Sequence, residues 1–186
     1  MPRVGLTPDT VIDIALAILD ETGDVTLTAV ASRAGVATPS LYKHVANLAE
    51  LRSLIAIHAM TELNDRLINV SLGLSGAEAI TAGLRTWRTY VLHYPHRYAA
   101  IPLQPLTDAR LAPTAQRLLD TATSLLRAYD LSPSDTIHAT RAMRVLVHGF
   151  ATMEAAGGFG FTQDRDESFN RMIDMFLASL PSRRTI

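Results

Sequence analysis

The chain has 186 residues, no cysteine, a formal net charge of −1 and a mean hydropathy of +0.15, with 48% hydrophobic residues. This composition excludes an intrinsically disordered chain and allows one sizeable core or two small ones. The lack of cysteine excludes disulfides and thiolate metal sites. Because no apolar signal segment opens the chain and its apolar stretches are interrupted by polar side chains, we expect a cytoplasmic protein without a membrane span.

The first predicted helix begins at Thr7 and Pro8 and ends near Gly23. Its apolar positions recur at helical spacing and form a core stripe of Ile12, Ala15, Leu16 and Leu19. A second, short helix is predicted over 27–34, and Gly35 supplies the left-handed backbone in which helices often end. We expect the first helix to pack against the second helix and the third helix and to hold them in place.

The third predicted helix begins after Gly35, where Thr38 offers a capping hydroxyl and Pro39 a preset φ. It extends to about Val45, which lies four residues after Leu41, so that these two side chains bury one face. Four hydrogen-bonding side chains point elsewhere, namely Ser40, Tyr42, Lys43 and His44. Spacing alone is equally typical of a plain helical hairpin, which is common in all-α proteins.

The order of residues in this segment favours a more specific interpretation. Gly35-Val36, followed by Leu41-Tyr42-Lys43-His44 and then by Asn47, resembles the DNA-binding domain of the TetR family of transcriptional regulators. The resemblance is sharp over about 7–51 and diffuse afterwards.

Three positions depart from the family pattern. Ala37 stands where a serine cap is usual, and Val45 stands where an aromatic residue is usual. Leu48 replaces a common basic residue, which removes one side-chain phosphate contact, although backbone amides at that helix N-terminus can still bind phosphate.

The resemblance implies an all-α protein with an N-terminal three-helix DNA-binding domain, followed by a larger helical ligand-binding and dimerisation domain. The domains are predicted at 4–64, with the helix-turn-helix at about 26–45, and at 65–186. The implied function is a homodimeric regulator, most simply a repressor, that leaves a palindromic double-stranded DNA operator when a small-molecule effector binds. The side chains expected to contact DNA are Thr28, Arg33, Thr38, Pro39, Ser40, Tyr42, Lys43 and His44.

The charge of the N-terminal segment argues against strong nonspecific DNA binding. Residues 1–51 carry three basic and six acidic side chains, but all the acids except Glu50 lie in the first helix or its exit loop. No acid lies within 26–47, which contains Arg33, Lys43 and His44. We therefore expect DNA binding that depends on a few well-placed contacts.

The rest of the chain predicts further helices. Asn47 caps one that runs to about residue 69, and Ser75 opens another that runs to about residue 93. Prolines then divide a region of short helices. A helix is predicted at about 114–129, Ser132 caps one that runs to about residue 156, and a last one ends near residue 180.

The last two long helices are strongly apolar, and a small monomer has little core with which to surround them. The resemblance implies that they pair with their twins in a dimer, through the side chains of Phe150, Phe169, Ile173, Phe176 and Leu177. The alternative, in which these helices pack inside one subunit, remains open.

A small-molecule pocket is predicted from apolar and aromatic side chains with a few polar groups. Its candidate residues, which are equally compatible with a simple core, are Trp87, Tyr90, Tyr94, Met143, Val147 and Met153. His148 belongs either to this pocket or to the structural core.

The sequence favours neither an enzyme nor a cofactor or metal site. His93 and His96 are separated by Pro95, and no cysteine or nearby acid completes a metal shell. No nucleophile elbow or metalloprotease motif is present. The alternative to a regulator is an all-α small-molecule-binding protein or helical enzyme that does not bind an operator.

Overall fold

The computed structural model describes residues 6–181, which form helices and loops and contain no strand. The helices are α1 (Pro8–Thr22), α2 (Leu27–Ala34), α3 (Thr38–Leu41), α4 (Leu48–Ser71), α5 (Gly76–His93), α6 (Pro95–Ala99), α7 (Ala112–Ser124), α8 (Pro133–Ala155) and α9 (Arg165–Ser179). Short 3-10 turns occupy Pro105–Thr107 and Arg127–Tyr129. The all-α prediction is confirmed, while residues 4–5 and 182–186 of the predicted domains lie outside the described residues.

The chain divides into two compact units. Within the described residues, the N-terminal unit comprises 6–61 and 94–115, and the C-terminal unit comprises 62–93 and 116–181. The N-terminal unit therefore contains α1 to α3, most of α4, α6 and the start of α7.

Several helix ends follow from the predicted local signals. The Thr7 hydroxyl accepts the amide of Thr10 at 3.1 Å, and Gly23 ends α1 with a φ of 77°. Asn47 accepts the amide of Glu50 at 2.9 Å, while the Glu50 carboxylate accepts the amide of Ala46 in return. The bond from Glu50 satisfies an amide that the first turn of α4 would otherwise leave unpaired, and the bond from Ala46 ties the preceding loop to that turn. The predicted start of α1 at Thr7 and Pro8 and the predicted cap at Asn47 are confirmed.

The core of the N-terminal unit is built by α1, α2, α3 and the first turns of α4. Its buried side chains are Val11, Ala15, Leu16, Ile18, Leu19, Val25, Val30, Ala31, Leu41, Val45, Leu51 and Ile55. Of the predicted α1 stripe, only Ile12 is half-buried, because Val11 and Ile18 take the more central positions.

Helix α6 packs on α1 within the N-terminal unit. The Arg97 guanidinium donates from Nε to Asp20 Oδ1 at 2.9 Å and from Nη2 to Oδ2 at 2.5 Å. It also lies over the Tyr94 ring at 4.5 Å from its centroid. Gly23 has a φ of 77°, which favours glycine, and an added Cβ would lie 3.0 Å from Cε1 of His96, so the His96 ring would have to shift slightly.

The C-terminal unit is organised around α5, which packs on α8 and α9. Arg88 of α5 lies inside it and donates from Nε and Nη2 to the Glu154 carboxylate at 2.7 and 2.8 Å. Its Nη1 lies 2.7 Å from Asp166 Oδ1. The guanidinium also lies 5.3 and 5.0 Å from the ring centroids of Phe150 and Phe169. One arginine thus connects α5, α8 and the start of α9.

Candidate nucleic-acid interface

Helix α2 has a defined start and a sharp end. The Thr26 hydroxyl accepts the amide of Ala29 at 3.1 Å, a cap that the sequence interpretation missed although threonine is a favoured cap residue. Gly35 adopts φ 67° and ψ 30°, which confirms the predicted left-handed end. The amide of Val36 donates to the Ala31 carbonyl at 3.0 Å and so closes the turn that leads to α3.

Helix α3 begins one residue earlier than predicted, at the residue that was expected to cap it. Thr38 is the first residue of the helix, and Ala37 flanks it without a side-chain hydrogen bond to the helix. The amide of Ser40 donates to the Ala37 carbonyl at 2.8 Å, which makes Ala37 the flanking residue. The prediction that the Thr38 hydroxyl caps this helix is therefore wrong, while Pro39 lies in the first turn as expected.

Helix α3 is also shorter than predicted. It ends at Leu41 rather than Val45, because the amides of His44 and Val45 both donate to the Leu41 carbonyl, at 2.8 and 2.9 Å. This shared acceptor tightens the backbone into a turn. Tyr42 and Lys43 consequently lie on the turn that follows α3, beside His44.

The burial pattern of this segment separates core from surface as predicted. Leu41 and Val45 are 0% and 1% exposed and anchor the segment in the core. None of the eight residues predicted to contact DNA is buried. Thr28, Arg33, Pro39, Tyr42 and Lys43 are exposed, and Thr38, Ser40 and His44 are half-buried. The helix-turn-helix therefore presents these side chains on the surface of α2, α3 and the following turn.

Arg33 is engaged within the chain. Its Nη1 and Nη2 donate to the two carboxylate oxygens of Glu21 at 2.8 and 2.6 Å. The hydrogen bonds lower the pKa of Glu21 and raise that of Arg33 relative to their ordinary values. A phosphate would have to compete with Glu21 for this guanidinium.

Lys43 has a different environment. It is exposed, and within residues 6–181 no carboxylate lies within ion-pair distance of it. Two of the acids in α1 and its exit loop are paired with arginines from later in the chain, Asp24 with Arg52 at 3.4 Å and Asp20 with Arg97. The excess of acid counted along the N-terminal segment is thus partly compensated in the folded unit.

The residues predicted to form a pocket lie in three different environments. Trp87, Tyr90, Met143 and Val147 are buried in the core of the C-terminal unit. Met153 is 51% exposed near the end of α8. Tyr94 is half-buried and belongs to the N-terminal unit.

The residues predicted to form a dimer interface lie mainly in the core of their own chain. Phe150, Phe169, Ile173 and Phe176 are at most 7% exposed, and Leu177 is half-buried. A side chain already covered by its own subunit offers little area to a partner. The large exposed apolar side chains of α8 and α9 are instead Ile137, Val145, Met153 and Met175.

Two further observations concern other kinds of site. Among residues 6–181, no three His, Cys, Asp or Glu side chains are grouped so that they could hold a metal ion. In the same range, no helix is long and apolar enough to cross a membrane.

A helix-turn-helix with a glycine-closed turn, a buried Leu41 and an exposed polar surface defines a DNA-binding protein of the helix-turn-helix class. Similarity to known proteins identifies the family to which this helix-turn-helix protein belongs. The family model "Tetracyclin repressor-like, C-terminal domain" matches residues 80–176. The uncharacterised HTH-type transcriptional regulator YobS of Bacillus subtilis (strain 168) is 31% identical over 182 residues, which cover 96% of this chain and 95% of YobS. The chain belongs to the TetR family of transcriptional regulators.

Solved structures agree in fold over nearly the whole chain. A protein of unknown function from Rhodococcus sp. RHA1 has a TM-score of 0.82 at 20% identity and covers 96% of this chain and 97% of its own. A TetR variant from Acinetobacter baumannii AYE in complex with minocycline has a TM-score of 0.70 at 24% identity. The match covers 94% of this chain and 96% of the TetR variant.

Proposed function

We propose that this regulator is a homodimeric repressor that binds a palindromic operator and releases it when a small-molecule effector binds. The observation that carries the operator-binding part is the pair Tyr42 and Lys43. Both side chains project from the turn after α3, beside the half-buried Ser40 and His44. In a dimer, two such surfaces enter successive major grooves about 34 Å apart. Lys43 binds phosphate, and Ser40 and His44 lie nearest the base edges.

Gel-shift titration against the DNA that flanks the protein's own gene tests operator binding. Tyr42→Ala should weaken the operator complex without changing helix content. Lys43→Ala should weaken operator and random DNA alike and reduce the salt slope by about 1 per contact, since phosphate contacts carry no sequence information. Arg127→Ala, an exposed arginine of the C-terminal unit, is the matched control and should change neither.

Wild-type protein that binds effector but retards no operator would instead indicate the alternative, a small-molecule-binding protein. Loss of affinity confined to the specific site in Lys43→Ala would mean that this side chain reads a base.

The dimer is proposed to form through the exposed apolar residues of α8 and α9. Val145 and Met175 lie on two helices that pack together and are 70% and 72% exposed, so both leave apolar surface that a partner subunit would cover. Val145→Glu should therefore give folded monomers in light scattering, because it places a charge in the seam. Leu103→Glu, at a site 72% exposed in the N-terminal unit, is the control and should remain dimeric.

Phe176→Glu has a different expected outcome, because Phe176 is buried in its own chain. It should unfold the C-terminal unit rather than yield folded monomers. A Val145→Glu protein that stays dimeric would place the interface elsewhere on the chain.

The effector is proposed to bind in the C-terminal unit and to act through α4, which contributes residues to both units. A coupling of about 1–3 kcal/mol is typical of allosteric systems and is enough for release from DNA. The minocycline complex of the A. baumannii TetR variant supports a small molecule as the effector class.

A further inference from the structure

The N-terminal unit contains an open cavity beside the end of α1. It has a volume of about 240 Å³ and lies between the exit loop of α1, helix α4 and helix α6. The nine residues that line this cavity all belong to the N-terminal unit. The cavity therefore uses none of the residues among which the effector is proposed to bind.

The lining of this cavity is apolar where it is buried and charged where it is exposed. Leu19, Val25 and Ile55 form the buried part and are 6%, 3% and 1% exposed. Asp24 and Arg52 form the charged part, and Oδ1 of Asp24 lies 3.4 Å from Nη2 of Arg52. An acid and a base thus lie side by side next to an apolar surface.

The exposed part of the lining has hydrogen-bonding capacity that the folded chain does not use. The contact between Asp24 and Arg52 is long and joins one atom of each, so both side chains keep further polar atoms. These side chains are 71% and 59% exposed, and an ion pair at that exposure contributes little to stability. Within residues 6–181, the ring of His96, which also lines the cavity, forms no hydrogen bond. A ligand can therefore bind these groups without destabilising the fold.

The neighbouring opposite charges and the apolar surface limit the class of ligand. A carboxylate alone would meet Asp24 as a like charge, and an amine alone would meet Arg52 as a like charge. A zwitterion suits both, since its ammonium group can bind Asp24 while its carboxylate binds Arg52. The volume is below the range of about 300–1,000 Å³ that is typical of drug-sized ligands, which favours a small molecule. We propose that this cavity binds a free α-amino acid whose apolar side chain packs on Leu19, Val25 and Ile55.

Methyl NMR and isothermal titration calorimetry on the full chain test the site. The probes are L-leucine, 4-methylpentanoate, which lacks the ammonium group, and 3-methylbutylamine, which lacks the carboxylate. L-leucine should shift the methyl resonances of Val25 and Ile55. It should bind about tenfold more tightly than either analogue, because a hydrogen bond to a charged group contributes at least about that factor. Equal affinities for the three probes would indicate apolar binding alone and would overturn the proposal.

Variants of the two charged residues test the role of each charge. In Arg52→Gln the preference for L-leucine over 3-methylbutylamine should vanish, and in Asp24→Asn the preference over 4-methylpentanoate should vanish. Arg110→Gln is the matched control and should keep both preferences. Arg110 is an exposed arginine of the same unit, lies 3.8 Å from Asp108 and does not line the cavity. An unchanged preference in Arg52→Gln or in Asp24→Asn would contradict the assignment.

A further variant fills the cavity without changing its charges. Ala99 lines the cavity and is exposed, so Ala99→Leu should keep the helix content of the protein. Its larger side chain should abolish the methyl shifts that L-leucine causes at Val25 and Ile55. Shifts that persist in this variant, or that are missing in the wild-type protein, would overturn the proposal. These measurements contain no DNA, so their outcome is independent of operator binding.

Discussion

The two units differ in how deeply their best-buried ion pair lies, since Arg97 and Asp20 of the N-terminal unit are 16% and 31% exposed. In the N-terminal unit, the pairs Arg33–Glu21 and Arg52–Asp24 lie at the surface, with side chains 41% to 71% exposed. In the C-terminal unit, Arg88 and Glu154 are 11% and 8% exposed. An exposed pair contributes about 0–1 kcal/mol, whereas removing one partner of a buried pair costs about 3–5 kcal/mol.

The stability of the two units therefore depends on their ion pairs to different degrees. The exposed pairs Arg33–Glu21 and Arg52–Asp24 contribute little to stability, so these charges can change without loss of the core of the N-terminal unit. The buried pair makes the packing of α5, α8 and α9 depend on one guanidinium, and the pKa of Arg88 is raised above its ordinary value mainly because Glu154 accepts its hydrogen bonds. Variants at each kind of pair test this contrast.

The largest effect is expected at Glu154. Glu154→Gln keeps the shape of the side chain but removes the charge that faces Arg88, and should lower the free energy of unfolding by about 3 kcal/mol. Asp166→Asn is the matched control at the same arginine, because Asp166 is 78% exposed, and should cost less than about 1 kcal/mol. Urea denaturation measures both. Equal losses would mean that burial does not distinguish the two partners.

A smaller loss of stability is expected in the N-terminal unit on substitution of Gly35, whose left-handed backbone ends α2. Gly35 has a φ of 67° and no atom within 4 Å of an added Cβ, so Gly35→Ala should cost about 1 kcal/mol through backbone strain alone. Gly35→Asn should recover part of this loss, since asparagine tolerates the left-handed region. Thermal unfolding with parallel gel shifts measures the changes, and full stability of Gly35→Ala would rule out strain at this position.

The smallest effect is expected at the exposed Glu21–Arg33 pair. The pKa of Glu21 is lowered below its ordinary value of 4.5, so its contribution to stability is present above that pH and is lost as the pH falls through the folded-state pKa. Arg33→Gln should return the Glu21 pKa toward its ordinary value in a carboxyl NMR titration. Stability at neutral pH should change little. A Glu21 pKa unaffected by the substitution would show that the pair does not form in solution.

Local signals in the sequence determined where most helices begin and end, because caps and left-handed turns depend on residues within one helical turn of each other. Thr7, Gly35 and Asn47 behave as predicted. The same locality explains the errors at α3. A threonine beside Pro39 is a plausible cap, but Ala37 flanks the helix and the shared Leu41 carbonyl ends it early.

Only the tertiary structure decided which distant residues meet. Asp20 and Arg97 are 77 positions apart, and Arg88 and Glu154 are 66 apart, so no periodicity in the sequence links them. An apolar stripe likewise does not reveal what covers it. The sequence determined that α8 and α9 are apolar, but the fold buries Phe176 within its own chain and leaves Val145 exposed, because packing against α5 uses only one side of each helix.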